Sequence, residues 1–244
     1  MAVRVIVSGA AGHMGRIVTD NVNTDPDLVL AGSVDPFGEG MAASVSDISE
    51  PAEVVIDFSN HEGTKDLLDA CIAKGLPVVL CTTGQTEEEL GMIEQASKSI
   101  AIFRSANMSV GVALVAKIVE EVAAKFAGSQ IEIVEAHHNR KLDAPSGTAI
   151  MLADAAKNAR PDSEYVMGRS GHCKRTDDEI GINSIRMGNI VGMHEVMFGT
   201  NTQTITIKHE AHDRALFADG ACDAAKFLAG KAPGMYDMND LLGE

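Results

Sequence analysis

The chain has 244 residues, 45% of them hydrophobic and 23% charged, with a formal net charge of -15 at pH 7. That length holds one large domain or two small ones, and the acidic balance excludes a general nucleic-acid binder, which would present a basic field. With no Trp and 4% aromatics, the core must rest on Val, Ile, Leu, Ala and Met.

The cysteines, Cys71, Cys81, Cys173 and Cys222, form no C-x-x-C pair, so their spacing lends no support to a zinc site. Scattered single cysteines fit a reducing cytoplasm. Met1 to Arg4 lead straight into an apolar strand, so no signal peptide is expected. No stretch approaches the ~18 apolar residues of a membrane span, so neither membrane nor nucleic acid is expected as a partner.

Val3 to Ser8 is a β-branched run and reads as a buried strand. Gly9 to Gly15 is glycine-rich, and Arg16 to Val22 has helical spacing. Leu28 to Val34 reads as a second strand ending at Asp35, and Val54 to Phe58 as a third. Thr64 to Ala73 reads as a helix, Pro77 to Cys81 as a strand, Glu87 to Ser97 as a helix and Ile100 to Phe103 as a fifth strand. Strands alternating with helices predict a parallel sheet covered on both faces.

Val112 to Phe126 is a long helix pattern, after which the character changes. Ile131 to Glu135 reads as a strand and Ser146 to Asn158 as a helix. Ile180 to Arg186, Ile190 to Phe198 and Thr202 to His209 read as strands of an antiparallel or mixed sheet, with Gly188-Asn189 as a hairpin turn. Leu216 to Leu228 is helical again. The expectation is two domains: residues 1–106 completed by 213–244, and an inserted 107–212.

Gly9-Ala10-Ala11-Gly12-His13-Met14-Gly15 follows a strand and opens a helix, with G-x-x-G-x-x-G spacing. Glycines let backbone approach a pyrophosphate, and helix N-terminal N–H groups receive it. Asp35 lies twenty residues past Gly15, where an acid holds the adenine ribose hydroxyls. Turn glycines and a surface Asp are the bland alternative; strand, motif, helix, strand and acid in this order favour a Rossmann-type dinucleotide domain. An acid at this position repels the 2′-phosphate of NADP. Pro36 follows it where an Arg would reverse the preference, although His13 in the loop can carry charge. NADH is therefore the favoured cofactor, with NADPH also accepted. Cys81-Thr82-Thr83-Gly84 and Asp57-Phe58-Ser59 end strands where such folds bind ligands, or are plain strand caps.

The segment from Glu135 to Ala149 packs His137, His138, Arg140 and Lys141 into five positions, then runs through Pro145-Ser146-Gly147-Thr148 into a helix. Reduction of a conjugated C=C–C=N system needs an acid near neutral pKa, and His suits it. Lys can hold a carboxylate or neutralise developing charge. The helix start at Ser146, Gly147 and Thr148 can bind a second carboxylate. A basic turn before a capped helix is the alternative. A metal is not expected: adjacent His on a strand point to opposite faces, and His209-Glu210-Ala211-His212 misses zincin spacing by one residue.

The stretch Glu135 to Ala149 resembles the E-x-H-H-x-x-K-x-D-A-P-S-G-T-A signature of the dihydrodipicolinate reductase family. Asp57-Phe58-Ser59, Cys81-Thr82-Thr83-Gly84, Asn107-Met108-Ser109-Val110-Gly111, Arg186-Met187-Gly188, Val191-Gly192-Met193-His194 and Gly234-Met235-Tyr236-Asp237-Met238 fall in the family's order, so the likeness covers nearly the whole chain. The resemblance implies an α/β Rossmann-type doubly wound sheet plus a smaller α+β substrate-binding and oligomerisation domain. It implies His137 as general acid or base, and Lys141 as proton donor or orienting cation. His138, Ser146, Gly147, Thr148 and Arg214 would bind a small dicarboxylate. Gly9, Ala10, Ala11, Gly12, His13, Met14, Asp35, Phe58, Cys81, Thr82, Thr83, Ser105, Ala106, Asn107 and Met108 would line the cofactor site. The implied reaction is NAD(P)H-driven reduction of 4-hydroxy-tetrahydrodipicolinate in lysine biosynthesis by a cytoplasmic homotetramer. Family members that use NADPH well carry a base where His13 and Pro36 stand. The alternatives are another small-substrate dehydrogenase, or a catalytically silent dinucleotide sensor that would have lost His137 or Lys141.

Overall fold

The computed structural model describes residues 2–243. Its elements run β1 (Val3–Ser8), α1 (His13–Thr24), β2 (Leu28–Val34), β3 (Val54–Asp57), α2 (Thr64–Lys74), β4 (Val78–Leu80), α3 (Glu87–Ala96) and β5 (Ala101–Arg104). They continue as α4 (Val110–Lys125), β6 (Gln130–His137), α5 (Gly147–Ala159), β7 (Glu164–Met167), β8 (Glu179–Arg186), β9 (Gly192–Gly199) and β10 (Thr204–Ala211). The chain closes with α6 (Ala215–Leu228), β11 (Gly234–Tyr236) and α7 (Met238–Leu241). Two units form, Met1–Ser109 with Ala215–Glu244, and Val110–Arg214.

The first unit holds a six-stranded sheet in the order β11-β5-β4-β3-β1-β2. All its pairings are parallel. Val5, Val7, Val54, Val55, Ile56, Val78 and Val79 are wholly buried, as strands covered on both faces must be. Helices α1 and α6 pack together, and α6 lies against β3, β4 and β5, while α2 packs on α3. Both β2 and β3 pair with β1, on opposite sides. This is a topological switch point, where the crevice beyond the strand ends takes ligands. The sequence reading started α1 at Arg16. It starts at His13 because extended Gly12 serves as its N-cap.

The second unit holds a mixed sheet in the order β10-β9-β6-β8-β7. Strand β6 is parallel to β8 and antiparallel to β9. The Gly188-Asn189 hairpin is therefore overturned: β6 lies between β8 and β9, so the connection has to cross the end of β6 rather than turn tightly. It is tied there by hydrogen bonds from Met187 N to His137 O and from His138 N to Ile190 O. The hairpin of this unit instead joins β9 to β10.

Alternation along the strands puts Ile131, Ile133, Ile180, Ile182, Val196 and Phe198 in one core with Val119 and Ala123 of α4 and Leu152, Ala153 and Ala156 of α5. Burying each large aliphatic side chain contributes about 1.5–3 kcal/mol. Elements β7, β11 and α7 were not foreseen: the equally short β3, β4 and β5 are largely buried apolar runs, whereas β7 and β11 are exposed or half-buried along their length and α7 is a single turn.

Candidate active site

In the first unit, the backbone at Gly9 turns with φ +75°, and a Cβ there would lie 2.5 Å from Phe58 O. A Cβ on Gly15 would lie 2.0 Å from Gly9 O. Only glycine permits either approach. Gly12 caps α1 without a side-chain bond, so the positive end of that helix faces the loop undiluted. His13 and Met14 form its first turn.

Asp35 follows β2. Its Oδ2 accepts from Ala11 N at 3.1 Å and its Oδ1 from Phe37 N at 3.0 Å. A cleft of about 690 Å³ runs along Gly9, Gly12, Asp35, Phe37 and Phe58. Its lining carries three carboxylates, Asp35, Glu62 and Asp66, and, among the described residues, no lysine or arginine. The glycine cradle and the acid at the end of β2 fit an adenosine diphosphate moiety.

Cys81, Thr82, Thr83 and the segment Ser105, Ala106, Asn107 and Met108 stand outside that lining, beyond the carboxyl ends of β4 and β5. The side chains of Ala10, Cys81 and Met108 are buried. Burial pushes the Cys81 thiol well above its ordinary range. Thr82 donates to Asp57 Oδ2 at 2.7 Å, and burial raises that carboxyl. Ser105 Oγ donates to Asn107 O at 3.0 Å, and Asn107 Oδ1 accepts from Ser109 N at 2.8 Å.

In the second unit, β6 continues the row of Ile131 and Ile133 with Glu135 and His137, one strand period at a time. Beyond the apolar core, that face becomes polar. His137 Nδ1 lies 2.6 Å from Glu135 Oε2. Arg186 forks onto both Glu135 oxygens at 2.8 and 2.7 Å, and Ser146 N donates to Oε1 at 3.2 Å. Burial alone would raise the Glu135 carboxyl, but hydrogen bonds from Arg186, Ser184 and His137, with the Arg186 charge, hold it at about 2.

Ser146 is the N-cap of α5, its Oγ accepting from Ala149 N. Gly147 and Thr148 form the first turn. The same Oγ lies 3.0 Å from His194 Nε2, and the His194 ring meets that of His137 edge-on at 5.2 Å. Burial, then the neighbouring His137, pulls the His194 imidazole down to about 4. Lys141 pairs with Asp143 at 3.0 Å. Arg214 Nη2 approaches His138 Nε2 at 3.5 Å. Loss of solvent, then Arg140, Arg214, His137 and Lys141, lowers His138. The turn thus gathers cationic groups beside a helix N-terminus, an arrangement that attracts a dianion in a chain of net charge -15.

The structure therefore brings His137, His138, Lys141, Ser146, Gly147, Thr148 and Arg214 into one unit, and the loop Gly9–Met14, Asp35 and Phe58 into the other. The zincin-like stretch lies largely on β10, with Glu210 paired to Lys208 at 2.8 Å. Sequence reasoning gave no role to Glu135, Arg186 or His194. The signal for Glu135 was present, two residues before His137 on one strand. Arg186 and His194 are placed only by register: Arg186 pairs with His137, and His194 with Glu135.

Comparison with known proteins agrees with this architecture. Residues 3–108 match the family model described as dihydrodipicolinate reductase, N-terminus, and residues 111–242 match that of its C-terminus. Over 99% of both chains, the protein is 45% identical to the 4-hydroxy-tetrahydrodipicolinate reductase of Caldanaerobacter subterraneus subsp. tengcongensis. It is 43% identical to that of Clostridium tetani, covering 99% of this chain and 98% of the other. Among solved structures, dipicolinate-bound dihydrodipicolinate reductase from Paenisporosarcina sp. TG-14 superposes with a TM-score of 0.80 at 24% identity, over 98% of this chain and 99% of that one. A probable dehydrogenase from Thermotoga maritima shares the fold at a TM-score of 0.65 and 12% identity, over 98% and 92% of the two chains. With the two family models together matching residues 3–108 and 111–242, the chain belongs to the dihydrodipicolinate reductase family.

Proposed function

We propose that this protein reduces 4-hydroxy-tetrahydrodipicolinate to tetrahydrodipicolinate, with loss of water, in lysine and diaminopimelate biosynthesis. The observation that carries the reading is the run from Glu135 to Ala149, which sets His137 against Glu135 and ties that carboxylate to the N-terminus of α5, with Arg140, Lys141 and Arg214 around His138. Relatives alike over nearly their whole length bear the same reductase name.

A nicotinamide, when bound, would supply the hydride. His137 donates the proton that balances it. Lys141, released from Asp143, holds a substrate carboxylate or offsets charge that develops on the ring. His138, Arg214 and the backbone at Gly147 and Thr148, capped by Ser146, hold the dicarboxylate. Gly9 to Met14 would receive the pyrophosphate, and Asp35 the adenosine ribose. Thr82, Thr83 and the Ser105–Met108 segment line the nicotinamide end. The first unit acts as the dinucleotide domain. The second binds substrate and assembles a homotetramer through the sheet face opposite α4 and α5, where Val134, Ile185, Met193 and Met197 remain partly exposed. The cytoplasm is the proposed compartment, in keeping with free Cys71, Cys81, Cys173 and Cys222.

NADH is the favoured cofactor. The support is a cleft whose lining has three carboxylates and no lysine or arginine to meet a 2′-phosphate.

The test is turnover with freshly generated 4-hydroxy-tetrahydrodipicolinate, following NADH and NADPH oxidation separately. The expected outcome is oxidation of both, with NADH ahead. In His137→Ala, NADH binding survives and turnover falls by about 10²–10⁴-fold. Unchanged turnover in that variant would remove His137 from the acid role.

A further inference from the structure

Glu135 is wholly buried, yet it carries a charge that none of the steps above uses. Its partners decide what it does. Oε2 takes the His137 ring and one arm of Arg186; Oε1 takes the other arm and the Ser146 amide. Guanidinium and backbone N–H groups can only donate, and an ionised carboxylate can only accept. The carboxylate therefore has no hydrogen to give to His137 Nδ1, and Nδ1 must be the donor. Which nitrogen of a histidine bears the proton is set by the bond the other makes. On the far side of the ring, a Cβ at position 192 would lie 3.2 Å from Nε2, and glycine keeps that approach open.

We propose that Glu135 is a positioning residue for the reaction: its carboxylate holds His137 in the Nδ1–H tautomer, so that the proton exchanged with substrate is the one on Nε2. Arg186 has two parts in this. It neutralises Glu135, which would otherwise repel a dicarboxylate, and its second arm donates to Asp143 O at 2.7 Å, anchoring the loop that carries Lys141. The Ser146 amide ties the same carboxylate to the start of α5, so the acid and the anion-binding turn share one support. The assignment rests on His137 being the acid.

The experiment is a long-range 1H–15N correlation of the histidine rings in the whole protein at a pH where His137 is neutral, with His137→Ala identifying its signals. It is run beside steady-state kinetics of Glu135→Gln. The wild-type ring is expected to show Nδ1 protonated and Nε2 bare. Glu135→Gln is expected to show mixed tautomers and a kcat lower by 100-fold or more, with KM within about threefold. A wrong tautomer in a comparable carboxylate–imidazole pair costs on the order of 10⁴ in kcat. A residue that merely braced the strands would leave the ring tautomer unmoved. A wild-type ring protonated on Nε2 overturns the proposal, as does a Glu135→Gln enzyme with unchanged tautomer and turnover within threefold. Should Glu135→Gln fail to fold, the wild-type spectrum decides alone, in either direction. If His137→Ala retains turnover, the acid role fails and the positioning role in the reaction fails with it, whereas a wrong ring tautomer with turnover lost in His137→Ala overturns the positioning role alone, so the two readings separate.

Discussion

Asp35 spends both its oxygens on backbone, one on Ala11 N in the glycine loop and one on Phe37 N. It is thereby fixed in the lining of the cleft, which carries other carboxylates and, among the described residues, no lysine or arginine. Asp35→Asn removes one negative charge while keeping an acceptor. Its expected effect is to narrow the NADH-over-NADPH ratio of kcat/KM by on the order of tenfold, about 1.4 kcal/mol; an unchanged ratio would move selectivity elsewhere. His194 carries a second consequence at this scale. In the native state it takes its proton only near pH 4, against 6.5 for the ordinary side chain. Between those values the unfolded chain holds more protons, so stability is complete above about pH 6.5 and falls as pH drops toward 4. The shift corresponds to about 3 kcal/mol at most. Glu135, held at about 2 against an ordinary 4.5, extends the loss below pH 4.5. Denaturant midpoints across pH 4–7 should therefore slope upward with pH in the wild type and flatten in His194→Gln.

At the scale of elements, α5 depends on one hydroxyl. Ser146 caps it through Ala149 N and also meets His194. Ser146→Ala is expected to cost about 1–2 kcal/mol, read as a lower melting temperature of about 2–4 °C per kcal/mol, and to raise KM for the dicarboxylate more than it lowers kcat. The start of α5 was legible in the sequence because Pro-Ser-Gly-Thr carries its own cap. The path after β8 was not. Gly188-Asn189 has the composition of a tight hairpin, and it does form a turn, with Gly188 at φ +54°. Local turn chemistry says nothing of β6, which lies between the two strands the turn connects.

At the scale of the whole molecule, the second unit rests on a core in which Phe198 is wholly buried. Phe198→Ala is expected to destabilise that unit by about 3–5 kcal/mol, seen as faster amide exchange across β6, β8 and β9. The acidic total charge does not decide how an anionic substrate is received, because Arg140 and Lys141 stand in one turn and Arg214 approaches His138 beside them, a local field set apart from the total.

What this sequence determined alone was whatever is local in the chain. The alternation of strand and helix through residue 105, the glycine loop and its acid twenty residues on, and the turn from Glu135 to Thr148 are all contiguous patterns. Each follows from backbone propensity and side-chain period. The tertiary structure decided which distant residues meet. Arg186 lies 51 residues from Glu135, and His194 lies 48 from Ser146. Only the parallel register of β6 with β8 and the antiparallel register of β6 with β9 bring them to one face. Register is set by how apolar rows bury against α4 and α5, a cooperative choice made by the whole sheet and written in no single segment.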